Sequence, residues 1–222
     1  MKEIAKGVFQ LALMPRNAIN CYVIDDVLID AGIRGSARKI LKSVAGTSIK
    51  KHVLTHAHAD HQGSSSIICE KLKIPLLTSE LEKTAVESGD VTHAYPNKNH
   101  FISRFQQRFW AGSPWPVSDT IKEGDRVGSF TVIETPGHAA GHLSFFREAD
   151  GVLIAGDVLL NMNLLTTSEG LRLPPHLFTT NMEQNIHSVK KLAALKPKVI
   201  CFGHGPVLFN DGVFEKFVEK LY

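Results

Sequence analysis

Residues 55–63 read THAHADHQG, which places His56, His58, Asp60 and His61 close together ahead of Gly63. Upstream, KKHVLT contains Val53 and Leu54, which suit the end of a buried strand. Downstream, GSSSIICEKL puts Ile67, Ile68 and Leu72 at helical spacing. The cluster therefore belongs on a strand-to-helix turn. There, polar side chains can converge on one point instead of spreading over a surface.

Three further polar residues share that setting. His138 lies in TPGHAAGH after the strand-like TVIET, Asp157 ends the apolar run in IAGDVLL, and His204 follows ICFG. Each time a strand ends, a glycine permits a tight backbone path and a metal-ligand type follows. Singly, such a histidine reads as a hydrogen-bonded turn residue and such an aspartate as a helix cap. Jointly they are harder to dismiss. Zinc takes imidazole and carboxylate ligands, with a position kept for water in catalytic sites. His56, His58, Asp60, His61, His138, Asp157 and His204 are more ligands than one such ion needs, and they suit two. No G-x-S-x-G elbow is present to supply a serine nucleophile instead.

The surrounding pattern is α/β. Strands are expected in GVFQLAL, NAINCYVI, VLIDAG, KKHVLTH and PLLTS, then in RVGSFTVIET, HLSFFRE, GVLIAGDVLL and KVICFG. Helices are expected after Ser36, over 64–72, 79–88 and 182–195, and at the C-terminal end. The two strand-rich blocks, 1–78 and 120–205, fit a single domain of two stacked sheets with helices outside. The opening run of strands fits a doubly wound sheet less well.

Composition sets the limits. The 222 residues can bury a sizeable core, and 43% apolar with 21% charged residues is ordinary for a globular chain. A net charge of +3 gives no reason on its own to expect nucleic acid or a membrane as partner. No apolar stretch is long enough for a span, and MKEIAKGVFQLALM lacks a signal peptide's apolar core. Cytoplasmic residence is the default expectation. Cys21, Cys69 and Cys201 are scattered in apolar contexts and read as buried thiols.

HAHADH, TPGHAAGH, AGD and GHG, in that order, resemble the ligand segments of the metallo-beta-lactamase superfamily. The resemblance covers nearly the whole chain and implies an αββα sandwich with two divalent ions at one edge. It implies that His56, His58 and His138 hold the first ion, that Asp60, His61 and His204 hold the second, and that Asp157 bridges them. Asp157 departs from true beta-lactamases of this fold, and His58 stands where flavodiiron-type reductases carry glutamate. The pattern is closer to the glyoxalase II-like, lactonase and thioesterase branches.

That resemblance implies hydrolysis of a small ester, thioester or lactone by a metal-bridging hydroxide, with Asp60 orienting the nucleophile. A nuclease or phosphodiesterase is the enzymatic alternative, although the large added domain of many nuclease members is missing. A non-catalytic metal-binding protein is the third reading, and the complete ligand set counts against it. Zinc suits the ligands, and iron and manganese also accept them. Asp30 in LIDAG is a candidate to hold a ligand histidine from behind. His142 reads as a structural hydrogen-bonding residue.

Residues 91–118 are the variable segment. They contain no Asp or Glu, but they carry Lys98, Arg104 and Arg108 among several aromatics. Phe101, Phe105 and Phe109 recur every four residues and make one helix face apolar. That face is expected to pack on the domain or on a second copy of the chain. The alternative is a lid in which Trp110 or Trp115 contacts the substrate and Arg104 or Arg108 holds an anionic group at the rim. His176 is a further candidate contact. The basic count is too small to favour nucleic acid.

Overall fold

A computed structural model describes residues 1–221. The first sheet holds seven strands in sequence order: β1 (Lys2–Ala5), β2 (Val8–Ala12), β3 (Asn20–Ile24), β4 (Val27–Ile29), β5 (Lys51–Val53), β6 (Leu76–Thr78) and β7 (Asp119–Thr120). Neighbours from β1 to β4 are antiparallel and joined by short connections. From β4 onward they are parallel, which requires longer crossovers. Those crossovers carry α1 (Ala37–Ser43), then α2 (Ala59–Gln62) and α3 (Ser65–Leu72), then α4 (Glu80–Ser88) and α5 (Phe101–Phe109).

The second sheet contains β8 (Arg126–Val127), β9 (Phe130–Glu134), β10 (Leu143–Arg147) and β11 (Val152–Gly156). A hairpin of β12 (Leu160–Met162) and β13 (Glu169–Arg172) follows, then α6 (Met182–Ala194). The remaining strands, β14 (Val199–Phe202) and β15 (Leu208–Phe209), complete the second sheet in the order β15-β14-β11-β10-β9-β8, and α7 (Val213–Glu219) closes the series.

Strand alternation explains the layering. In β3 the side chains of Tyr22 and Ile24 join Val132, Phe145 and Ile154 of the second sheet in one core. Cys21 and Val23 point the other way, into a core with Ile40 of α1, Ile68 of α3 and Val86 of α4. The second sheet likewise turns Leu153, Ile200 and Phe202 onto Val189 of α6 and Phe214 of α7. The central strands of both sheets are buried on both faces, and the result is the αββα sandwich. All three cysteines are free and buried within these layers.

His52 sits between β4 and α3, bonded to the Leu28 carbonyl at 3.0 Å and the Ser65 hydroxyl at 2.8 Å. Burial pushes its pKa below the ordinary 6.5. A depressed base contributes stability that is complete above the unfolded pKa. That stability is lost as pH falls below about 6.5 toward the folded value. Metal-free protein should therefore lose stability on acidification, with this residue contributing up to about 1.4 kcal/mol per pH unit. Chemical denaturation from pH 7.5 to 5 should show a shallower loss for His52→Asn than for the parent. Parallel curves would remove His52 from the effect.

Candidate metal centre

β9 and β11 both run antiparallel to β10, and β11 runs parallel to β14, so β9, β11 and β14 share one direction. His138 comes after β9, Asp157 directly follows β11, and His204 comes soon after β14. In open α/β sheets the carboxyl ends of parallel strands form the ligand-binding edge. The 56–61 segment, which follows β5 and runs into α2, meets the same place.

Three groups of potential ligand atoms converge there, each with its atoms within 4.8 Å of one another: His56, His58 and His138; Asp60, His61 and His204; and His56, His61 and Asp157. The Asp157 Oδ2 atom is central. It lies 3.0 Å from His204 Nε2, 3.4 Å from His61 Nε2 and 3.8 Å from His138 Nε2. Asp60 Oδ2 is 3.2 Å from the same His204 nitrogen. All seven side chains are buried.

The outer hydrogen bonds assign the tautomers. His61 Nδ1–H donates to Asp30 Oδ2 at 2.8 Å. The Thr55 hydroxyl also donates to Asp30, at 2.9 Å, and so accepts from His56 Nδ1–H at 3.0 Å. His58 Nε2–H donates to the Ala94 carbonyl at 3.1 Å, and His204 Nδ1–H donates to the Ala18 carbonyl. Thr179 donates to the Pro175 carbonyl and accepts from His138 Nδ1–H at 3.4 Å. Every one of the five imidazoles thus keeps one nitrogen for the centre, with the other held in place.

Apart from His204 Nε2, which faces Asp157 and Asp60, those inward atoms lack ordinary partners. His56 Nε2, His61 Nε2 and Asp157 Oδ1 are buried with no hydrogen-bond partner. His58 Nδ1 and His138 Nε2 face each other at 3.0 Å, and both carry lone pairs by the assignment above. A cation satisfies such an arrangement, so this donor set fits bound metal.

Electrostatics divide the histidines. Burial, reinforced by neighbouring imidazoles, holds His56 and His138 well below the ordinary value. Burial also lowers His58, to about 4, so all three are neutral and ready to ligate at pH 7. Burial opposes protonation of His204 too, but Asp157 and Asp60 outweigh it and raise the pKa to about 10. His61 is raised in the same way by Asp157 and Asp30. Burial disfavours the Asp60 and Asp157 carboxylates. Even so, His204 and His61 hold both well below the usual carboxylate range. A metal binding at His61 and His204 must therefore displace protons.

His142 takes a different role. Its Nδ1 bonds to the Thr135 hydroxyl at 2.9 Å, and its Nε2 accepts the Asp157 backbone N–H at 3.0 Å. Both nitrogens are occupied, and the ring braces the Asp157 turn. Two glycines permit the close approaches. A Cβ on Gly156 (φ +59°) would meet His142 Nε2 at 2.6 Å, and one on Gly203 would collide with Asp157 Oδ1. Asp30 also adopts a positive φ, +59°, a conformation aspartate tolerates better than most residues.

Sequence reasoning missed two supporting residues. Buried Glu82 accepts the N–H of Ala57 at 2.9 Å and that of Gly141 at 2.8 Å, tying the 56–61 turn to the 138–142 segment. Tyr95 stacks on His58 with ring centroids 4.3 Å apart, and its hydroxyl accepts the Ala59 N–H at 3.2 Å. An acid in a helix and a tyrosine in an aromatic stretch carry no spacing signal that points to either role.

A cavity of about 360 Å³ opens on the cluster. His58, Asp60, His138, Asp157 and His204 form its polar floor. Its walls come from Met14, Ile19, Tyr95, Ile102, Trp110, Leu160, Met162 and Phe178, among others. Trp110 is in this wall. Trp115 is not, and packs instead against the core beneath α4. Arg104, Arg108 and His176 are exposed and are not among the residues that line the cavity.

The apolar face of α5 does not pack on its own domain, one of the two expectations for it: Phe101, Phe105 and Phe109 are 74%, 50% and 54% exposed. The helix packs through its polar side, with Ser103 and Gln106 buried. Gln107 bonds the Val91 N–H and the Gly89 carbonyl. That anchoring turns the phenylalanines outward, and the arginines with them.

The sequence model of the metallo-beta-lactamase superfamily matches residues 14–204. The chain belongs to that superfamily. Its relatives include the "Probable metallo-hydrolase YflN" of Bacillus subtilis (strain 168), 30% identical over 91% of this chain and 85% of that protein. A hydroxyacylglutathione hydrolase of Bdellovibrio bacteriovorus is 24% identical, over 79% of this chain and 56% of its own length. Among solved structures, TTHA1623 in a di-iron-bound form matches with a TM-score of 0.69 at 28% identity. The match covers 90% of this chain and 94% of that one. As a superfamily member, the chain is a metallo-hydrolase-type protein with a histidine and aspartate cluster as its candidate metal site.

Proposed function

We propose that this chain hydrolyses a small ester, thioester or lactone with an apolar acyl part, using two divalent metal ions. The observation that carries the reading is the cavity. It is enclosed by aliphatic and aromatic side chains, and its lining includes no lysine or arginine among the described residues. A phosphodiester backbone calls for a cationic groove, whereas an acyl group calls for an apolar wall with a few placed polar groups. The relative named hydroxyacylglutathione hydrolase acts, by that name, on an acyl conjugate.

His56, His58 and His138 would hold one ion, Asp60, His61 and His204 the other, and Asp157 would serve both. When bound, such a pair lowers the pKa of the attacking water and polarises the scissile carbonyl. The protein supplies the rest. Asp60 reaches both the cluster and the cavity, so it orients the water and accepts its proton. Asp30 fixes the His61 ring, and Ile102, Trp110, Met162 and Phe178 hold the acyl group and keep bulk water out. Zinc and iron both suit the donors, and TTHA1623 binds two irons.

The test is a hydrolysis panel on metal-loaded protein: acyl esters, thioesters, lactones, beta-lactams and phosphodiesters. Acyl substrates should be turned over fastest. Faster cleavage of phosphodiesters would sink the reading. Within the acyl series, Trp110→Ala should raise KM for larger apolar groups roughly tenfold while changing short-chain substrates little. An unchanged ratio between long and short chains would take Trp110 out of the substrate site.

A further inference from the structure

The exposed phenylalanine face of α5 lies beside the cavity mouth. Ile102, Gln106 and the capping residue Trp110 line the cavity from one side of this helix. Phe105 and Phe109 sit on the adjoining side, their rings 4.8 Å apart, with Phe105 also 6.2 Å from Trp110. Across the mouth, the β12–β13 hairpin presents Leu165, which lines the cavity and is 95% exposed. Water thus faces an apolar rim that continues into an apolar pocket.

Charge around that rim is mostly positive, with Glu169 of β13 the exposed acid on the hairpin side. Arg104 and Arg108 flank the phenylalanines, and the Arg108 guanidinium lies 5.6 Å from the Phe109 ring centre, so its stem covers apolar surface while its head stays wet. On the hairpin side, exposed Arg16 donates to the Thr167 hydroxyl at 2.7 Å. Residues 91–118 contain no acid, and the nearest preceding one, Asp90, is engaged with Thr92 and His93. A second copy of the chain would bring the same mostly basic edge, with Glu169 of the hairpin as the acid to set against Arg16, Arg104 and Arg108. A surface with apolar depth and anionic headgroups complements both features.

We infer that α5 and the β12–β13 tip dock this protein peripherally on an anionic lipid surface, with the cavity mouth facing the bilayer. The docking is independent of the hydrolase reading, and only the delivery of acyl substrates from the lipid rests on it. No helix among the described residues can cross a membrane, so the contact is interfacial. The near-balanced charge of the whole chain is an average that hides this concentration of positive charge.

The test is co-sedimentation of the metal-loaded full chain with phosphatidylcholine vesicles, with and without 30% phosphatidylglycerol (a composition of roughly physiological surface charge). Binding to the anionic vesicles should exceed binding to neutral ones and weaken as salt is raised. The double variant Phe105→Ser with Phe109→Ser should bind about tenfold or more weakly. It should keep its circular dichroism and its turnover of a short, water-soluble ester. Arg104→Gln with Arg108→Gln should lose most of the preference for anionic over neutral vesicles. Equal partition of the parent into both vesicle types would overturn the inference, as would unchanged binding by the phenylalanine variant. A parent dimer in light scattering that this variant converts to monomer would also overturn it, by making a second copy the occupant.

Discussion

Asp157→Asn is expected to empty both proposed metal positions. Its Oδ2 atom lies within 3.8 Å of His61, His138 and His204, so it reaches residues of both proposed ligand groups. Asparagine preserves the shape but removes the negative charge that balances two cations. The remaining donors would then be mostly neutral imidazoles, with Asp60 alone compensating the charge. Affinity should fall by at least about 100-fold, more than the loss typical of an outer-shell change. Turnover should fall with it. The check is elemental analysis after equilibration against buffers of defined free zinc or iron, with the parent beside it. Two ions retained at the parent's affinity would refute the bridging role. The fold should survive, because the Asp157 backbone N–H that His142 accepts is untouched by the change.

The site was legible in the sequence because polar residues interrupt otherwise apolar strand ends. His138, Asp157 and His204 each stand out against a run such as VLIAG or VICFG. The sheets were legible for a related reason, since strands buried on both faces read as continuous apolar segments. The atoms that hold the ligands from behind were not legible. The Ala18 and Ala94 carbonyls orient His204 and His58, and a backbone oxygen leaves no trace in residue identity.

The cavity wall was equally opaque. Leu160, Met162 and Leu165 reach it through a hairpin whose pairing depends on tertiary position. The α5 periodicity identified an apolar face correctly, but periodicity cannot say whether that face points inward. Here the Gln107 hydrogen bonds accompany an inward side that buries Ser103 and Gln106, and the phenylalanines are left outside.

Asp60→Ala should lower kcat by roughly 10²–10⁴, the usual weight of a positioned base, with a much smaller change in KM. Asp60 is one of the five ligand residues that line the cavity. His56 and His61 lie beneath the cavity floor, whereas Asp60 lines the cavity and still places Oδ2 3.2 Å from His204 Nε2. Its carboxylate stays ionised at neutral pH because His204 and His61 outweigh the penalty of burial. It can therefore act on a water bound at the boundary between the cluster and the substrate. Losing that action costs the transition state more than the ground state, which places the effect in kcat.

The His56, His58 and His138 group does not include Asp60, so at least one ion should remain bound in the variant. Metal content and turnover must be read on the same reconstituted preparation, since occupancy alone could otherwise account for lost activity. Asp60→Asn separates the two roles: it keeps a ligand oxygen but removes the base, and should remain nearly as slow as the alanine variant. Parent-like turnover in Asp60→Asn at full occupancy would show that Asp60 serves only as a ligand. Parent-like turnover in Asp60→Ala would remove it from the mechanism altogether.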